Sequence, residues 1–138
     1  MPPISVSLKE KGIIVHPFRY ARPELIDEAC SLLQGDDAAR PLAGGMSLLP
    51  MMKLRLAEPA ALVDLSRIPS LRGISAIEGS LRIGAMTRHF DVAMSPLVRE
   101  TIPSLAKLAS GIGDVQVRHR GTIGGSVANS DPAADYPS

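Results

Sequence analysis

The spacing of apolar residues changes along this chain, and the changes mark out its elements. Residues 1 to about 16 mix prolines with short apolar pieces such as Ile13-Ile14-Val15 and predict a weak strand at most. After Pro23, the residues Leu25, Ile26, Ala29, Leu32 and Leu33 recur at intervals of three and four, the period of an amphipathic helix, and Gly35-Asp36-Asp37 ends it. Cys30 falls within this helix and, as a free cysteine, is expected to pack against the core. Arg40-Pro41-Leu42-Ala43 predicts a short strand running into Gly44-Gly45. Ser47 is then placed to cap a helix from Leu48 to Leu56, with Pro50 inside its first turn, where a missing amide costs little. In that helix Leu48, Leu54 and Leu56 are assigned to the core, Met46, Met51 and Met52 to its pliable filling, and Lys53 and Arg55 to solvent. Ala61-Leu62-Val63-Asp64-Leu65 is the next buried strand, so residues 1–65 form a small βαβ-like layer with parallel strands.

From Leu71 the texture changes. Leu71 to Ile77, the turn residues Glu78-Gly79-Ser80, and Leu81 to Ala85 read as an antiparallel hairpin. A second lobe is therefore expected over residues 66–138. Asp91 to Met94 and Leu97 to Gly111 are helical, with Pro103 at a helix start and Leu105, Leu108 and Ala109 facing the core. Asp131-Pro132 announces one more helix by a capping residue followed by proline at the first position. The chain stops at Tyr136-Pro137-Ser138 before that helix can run, the pattern expected of a truncated product or fragment.

Composition narrows the function classes. A formal net charge of +1, without a basic run, argues against nucleic acid as a partner. No apolar run approaches the roughly 20 residues of a spanning helix, and Met1-Pro2-Pro3 does not open a secretory signal, so a cytoplasmic protein with no membrane span is expected. The single cysteine can form no internal disulfide and supplies too few thiolates for a zinc or iron–sulfur site. His16, His89 and His119 show no ligand spacing, so no metal site is expected. Electron transfer, if it occurs, then requires an organic cofactor.

Two glycine pairs carry the chemistry. Gly44-Gly45 lies in Ala43-Gly44-Gly45-Met46-Ser47, and Gly124-Gly125 in Thr122-Ile123-Gly124-Gly125-Ser126. Each follows a short apolar piece and carries a hydroxyl within two residues. Such turns expose backbone amides that bind an anion without a lysine; the competing reading is a pair of tight turns that need small residues. Around the second pair, Arg118 to Asp135 reads as a loop in which Gly121, Gly124 and Gly125 take positive φ and let a ligand approach bare amides. Thr122, Ser126 and Asn129 add side-chain donors, and Asp135 an anionic acceptor suited to sugar-type hydroxyls. Asp131 is first a helix cap and second a cofactor contact, and Arg118 and Arg120 read equally as surface charges or as the frame of an anion. Gly111-Ile112-Gly113 is a decoy: the third glycine of a dinucleotide fingerprint is absent and a helix precedes it. There is no GxxxxGK[ST] loop, and no Ser–His–Asp or Cys–His arrangement can be argued.

With both motifs in view, the chain resembles the FAD-binding medium subunit of the molybdenum hydroxylases, the kind found in carbon monoxide dehydrogenase and xanthine dehydrogenase. The resemblance rests on Phe18 to Pro23, Arg40 to Leu56 (RPLAGGMSLLPMMKLRL), Leu62 to Leu65, Leu81 to Ala85 and Val117 to Pro137 (VRHRGTIGGSVANSDPAADYP). It covers nearly everything after residue 16. It implies an α+β fold of the two-lobed FAD-binding PCMH type, with an N-terminal α/β lobe over 1–65 and an incomplete second α+β lobe over 66–138. It also implies that Ala43 to Ser47 form the first pyrophosphate loop, that Thr122 to Ser126 form the second, and that Asp135 faces the ribityl or ribose side of the flavin. His119 stands where the family usually has asparagine, and members of the family run well beyond this length.

The implied chemistry is electron transfer within a complex. A large subunit with a molybdenum cofactor oxidises substrate, a [2Fe-2S] small subunit relays electrons, and the FAD of this subunit passes them to an acceptor. No residue of this chain is expected to be catalytic. The alternative is a truncated docking or structural subunit that holds no flavin. A flavoenzyme with covalent FAD is weaker, since neither motif contains a cysteine or histidine as an attachment point.

Overall fold

The computed structural model describes residues 4–5, as backbone, and 16–136; the expected apolar piece Ile13–Val15 lies outside them. The chain divides into two compact units, Met1–Pro69 and Ser70–Ser138, and the fold is α+β.

The first unit is built on a four-stranded sheet in the order β1 (Ile4–Ser5), β2 (Arg19–Ala21), β4 (Ala61–Asp64), β3 (Ala39–Leu42). β2 and β3 both run parallel to β4, whereas β1 is antiparallel to β2. Parallel neighbours need crossovers, and α1 (Ile26–Gln34) and α2 (Leu48–Lys53) lie on them. The βαβ layer and a helix after Pro23 are therefore as the periodicity predicts. β2 is an addition, because three residues are too few to show alternation. Leu62 and Val63 of β4 are almost fully buried, with Ala29 of α1, Ala39 of β3 and Met52 of α2.

Three expectations in this unit fail. Cys30 is exposed, because α1 turns its small Ala29 to the sheet and leaves even Leu25, Ile26 and Leu32 largely in solvent. Ser47 occupies the N-cap position of α2 without making a capping bond. Lastly, α2 ends at Lys53, so Leu54 and Leu56 are 70% and 71% exposed rather than core, and Met51 is exposed as well instead of filling it. The stop is a Schellman arrangement. Arg55 takes φ +58°, its N–H donates to the Met52 carbonyl (3.1 Å), and the Leu56 N–H donates to Met51 (2.8 Å). An arginine in that left-handed position gives no sequence signal where glycine would.

The second unit begins with the hairpin β5 (Ile74–Ile77) and β6 (Ser80–Ile83), antiparallel with Ile74 opposite Ile83. Its turn is the pair Glu78-Gly79, both at positive φ (48° and 77°), the geometry that suits the twist of a tight hairpin. Among the described residues five helices follow: α3 (His89–Met94), α4 (Pro96–Thr101), α5 (Pro103–Gly111), α6 (Val115–Arg120) and α7 (Ile123–Asn129). Prolines open α4 and α5 at their first positions, as predicted for Pro103. Val92, Ala93, Val98, Ala106 and Ala109 form the core, against which Ile74, Leu81, Ile83 and Leu105 pack.

The segment expected to be a loop is helical. Asp114 caps α6 by accepting from the Val117 N–H (2.8 Å), and Thr122 caps α7 by accepting from the Gly125 N–H (3.1 Å). Each is a capping residue with a backbone donor three positions on, and the glycine content obscured both. After Asn129 the chain leaves α7 through Ser130 at φ +50°. It then turns at Asp131, whose carboxylate accepts from the Ala133 N–H (2.9 Å). The helix expected to open at Asp131-Pro132 is not formed through Tyr136, and Asp131 braces a turn instead of capping a helix.

Candidate functional site

The first glycine motif sits where the topology would place a ligand site, just beyond the carboxyl end of a parallel strand. β3 ends at Leu42, opposite Asp64 of β4, and the chain turns through Ala43 to Ser47 into α2. Gly45 is buried at φ +74°, so positive φ is a real requirement here. A Cβ on it would lie 2.8 Å from the Leu49 Cδ1, the movable end of a side chain. Ala43, Gly44 and Met46 are half-buried, and Ser47 is exposed. Among the described residues no acceptor takes the N–H groups of Gly44, Gly45, Met46 or Ser47, whereas the Gly45 and Ser47 carbonyls accept from Leu49 and Met51. Successive unengaged amides in such a turn are the kind of donor group that can receive an oxyanion.

A polar network braces the adjacent strand end. The Asp64 carboxylate is buried and accepts from the Tyr20 hydroxyl and from the Ser66 N–H (2.8 Å). The Arg22 guanidinium lies 3.4 Å from it and donates to the Ser66 hydroxyl at 2.8 and 3.0 Å. Burial alone would raise the Asp64 pKa, but these hydrogen bonds and the Arg22 charge hold it below the usual aspartate value. Burial, followed by the bond to Asp64, pushes the Tyr20 phenol up.

The second motif differs although its letters match. Gly121 takes φ −61°, and neither it nor Gly124 nor Gly125 is at positive φ. The amides are also engaged. The N–H of Ile123 donates to Thr87 (3.0 Å), that of Gly124 to Ala85 (2.9 Å), that of Gly125 to the Thr122 hydroxyl, and that of Ser126 to the Thr122 carbonyl (3.0 Å). The expectation of bare amides is therefore corrected here. Residues 121–124 are zipped to residues 85–89, with a bridge between Arg88 and Thr122 and the His89 N–H donating to Gly121 (3.1 Å). The glycines serve this close approach. A Cβ on Gly124 would lie 2.5 Å from the Ala85 Cβ, and one on Gly121 would lie 2.7 Å from the His89 ring. Thr122 is buried, whereas Ile123, Gly124, Gly125 and Ser126 remain partly accessible and Asp135 is exposed. The first motif thus belongs to the first unit, and the second motif with Asp135 to the second.

The two arginines left open by the sequence separate. Arg118 donates to the carbonyls of Ile112 and Gly113, tying down the entry to α6, while Arg120 is exposed. His119 donates from Nδ1 to the Val115 carbonyl (2.8 Å) and stacks on Phe90 with centroids 4.2 Å apart. A shallow concavity of about 230 Å³ is lined by Arg72, Gly73, Ile74, Met86, Thr87, Arg88 and Asp91, and by no residue of either glycine motif. Among the described residues no group of three or more His, Cys, Asp or Glu could hold a metal ion, and no helix is long and apolar enough to cross a membrane.

Over residues 16–138 the sequence matches the family described as FAD binding domain in molybdopterin dehydrogenase. The chain belongs to this family. It is 50% identical over 121 residues to the carbon monoxide dehydrogenase medium chain of Hydrogenophaga pseudoflava, covering 87% of this chain and 42% of that one. It is 42% identical over 120 residues to the glyceraldehyde dehydrogenase medium chain of Sulfolobus acidocaldarius, covering 87% and 43%. Among solved structures, carbon monoxide dehydrogenase from H. pseudoflava lacking the Mo-pyranopterin moiety of the molybdenum cofactor superposes with a TM-score of 0.88 at 49% identity, over 91% of this chain and 44% of that one. Quinoline 2-oxidoreductase from Pseudomonas putida 86 gives 0.86 at 40%, over 89% and 43%. This FAD-binding domain chain therefore spans less than half the length of the curated relatives it matches.

The resemblance carried by the two glycine motifs is correct at the level of the family. Three polar residues beside the motifs carry no signal in the sequence: Tyr20 next to the first motif in the first unit, and His89 and Tyr136 next to the second motif in the second. Thr122 was seen as a donor rather than a cap, although its three-residue spacing to Gly125 was readable. Nothing local marks His89 or Tyr20, since their partners lie 47 and 44 residues away.

Proposed function

We propose that this chain is part of the FAD-holding subunit of a cytoplasmic molybdenum hydroxylase. In this reading the flavin diphosphate rests on the amides of Gly44, Gly45, Met46 and Ser47, with Ala43 admitting it beside the strand end. Thr122 to Ser126 meet the same cofactor differently from the first motif. With their amides engaged, they contribute the Ser126 hydroxyl and the low surface of Gly125, while Thr122, Ile123 and Gly124 hold the helix start in register. The Asp135 carboxylate accepts from ribityl or ribose hydroxyls. Residues 1–65 are the N-terminal lobe of the flavin fold, and 66–138 the first part of the second.

FAD, when bound, supplies the redox chemistry, and the protein supplies binding, orientation and local charge. Electrons reach this subunit from a [2Fe-2S] small subunit, which is fed by a large subunit carrying the molybdenum cofactor, and they leave to an acceptor. No side chain of either motif is asked to act as acid, base or nucleophile.

The observation that carries this reading is the run of four unengaged amides at the carboxyl end of β3, in a chain of a FAD-binding family. Flavin fluorescence quenching on titration with the purified chain tests it. Saturable binding at about micromolar Kd or tighter is expected. Gly45→Val, which forces a β-branched residue to φ +74°, should weaken binding at least about tenfold. Quenching that never saturates in the parent, or equal affinity in Gly45→Val, would refute the assignment.

A further inference from the structure

The turn that follows α7 carries Asp135, yet its backbone leaves the helix through an irregular path: Ser130 at φ +50°, then the Asp131 turn, then residues to Tyr136. Such a segment does not fix a carboxylate by itself, because an exposed side chain on a short turn follows whatever holds the turn. Among the described residues, what ties it to the rest of the unit is a long-range polar contact. The Tyr136 hydroxyl and Nδ1 of His89 share a hydrogen bond of 2.9 Å, and their rings lie 5.4 Å apart, tilted by 45°.

His89 is well suited to be the fixed partner. It is the first residue of α3, only 4% exposed. Its N–H is bonded to the Gly121 carbonyl, and its ring lies where a Cβ on Gly121 would fall. The His89 backbone is therefore tied to Gly121, and the ring packs against that glycine. Burial lowers the His89 pKa, opposed by the Asp135 carboxylate, while burial and then the same carboxylate push the Tyr136 phenol up to about 12. Both partners are neutral near pH 7, so the contact is an ordinary hydrogen bond shielded from water. Asp135 directly precedes Tyr136, so the turn that Tyr136 anchors carries that carboxylate with it.

We infer that His89 and Tyr136 form a clasp that holds the 131–136 turn against α3 and so positions the Asp135 carboxylate for the flavin's sugar-type hydroxyls. His89 and Tyr136 are positioning residues in this scheme, acting through Asp135. The inference rests on the flavin reading above, and its test separates the two.

The clasp is read without flavin. Hydrogen exchange of the full chain should show the Ala133 and Ala134 amides, which are bonded to Asp131, exchanging at least about tenfold faster in Tyr136→Phe than in the parent, with core exchange in α5 unchanged. Its use is read from FAD titrations of the parent, Tyr136→Phe, Asp135→Asn and the double variant. Each single change should weaken binding several-fold, and the double variant should bind about as well as the weaker single, because both remove one contact. Unchanged exchange in Tyr136→Phe overturns the clasp. Parental FAD affinity in Tyr136→Phe, or losses that multiply in the double variant, overturns its role toward Asp135. A parent that takes up no FAD defeats the flavin reading and this role together, while the exchange result still decides the clasp.

Discussion

Gly124→Ala separates the two physical accounts of the second glycine motif. If Gly124 were there to let a ligand reach bare amides, adding a methyl would leave the unliganded protein intact and cost only affinity. In the structure the added Cβ would lie 2.5 Å from the Ala85 Cβ and 2.7 Å from the Ala85 Cα and carbonyl oxygen. Carbon atoms in contact prefer about 3.5–4.0 Å, so the start of α7 must retreat by roughly 1 Å from a backbone that cannot fold away like a side chain. That retreat stretches the Gly124 N–H bond to Ala85 and the Ile123 N–H bond to Thr87. Overpacking costs about 1–3 kcal/mol, and two weakened backbone bonds about 1–3 kcal/mol more. The gain from replacing glycine by alanine within a helix returns only about 1 kcal/mol.

The net expectation is a loss of about 3 kcal/mol in a unit small enough for that to lower its melting temperature by on the order of 10 °C. Thermal and urea unfolding of the flavin-free chain, followed by circular dichroism, measure it. Gly111→Ala is the internal control. It closes α5, no atom lies within 4 Å of its added Cβ, and its φ is not positive, so it should be neutral or slightly stabilising. If Gly124→Ala melts with Gly111→Ala and loses only flavin affinity, the packing account is wrong and the ligand-approach account stands.

Tyr20→Phe removes the hydroxyl that donates to buried Asp64, and leaving that carboxylate short of a donor should cost about 1–3 kcal/mol by urea unfolding; a loss within error would show that the network does not brace the strand end. The pH dependence follows from His89, whose folded pKa lies below 6.5 because it is buried. Between that lowered value and 6.5 the unfolded chain binds the extra proton, so the contribution is complete above 6.5 and is lost as pH falls through this window. Melting temperature should therefore decline from pH 7.5 towards 5, and His89→Asn should flatten the decline; an unchanged slope in the variant would assign it to other groups.

How far this fold was legible depends on how local each signal is. Leu25 to Leu33, Ala61 to Leu65 and the hairpin around Glu78-Gly79 each carry their period or turn chemistry within one element. All three form in type, although the first hairpin strand starts at Ile74 rather than Leu71, Ser80 joins the second strand, and the strand from Ala61 ends at Asp64. β2 escaped because Arg19-Tyr20-Ala21 earns its strand from β4, forty residues on, rather than from its own pattern. The end of α2 escaped because its left-handed residue is Arg55. The two glycine motifs are the sharper case. Gly45 does what a glycine pair after a strand suggests: it takes φ +74°, and the atoms its Cβ would meet are the side chains of its neighbours Leu42 and Leu49 rather than a distant backbone. Gly124 sits in nearly the same local sequence, but Thr122 starts a helix two residues earlier and Ala85 occupies the space a ligand was expected to use. A glycine reports that something comes close, and only the tertiary partner decides whether that is a diphosphate or the protein's own backbone. The first motif therefore carries the weight of the phosphate assignment, while the second is needed for the register that sets Ser126, His89 and, through Tyr136, Asp135.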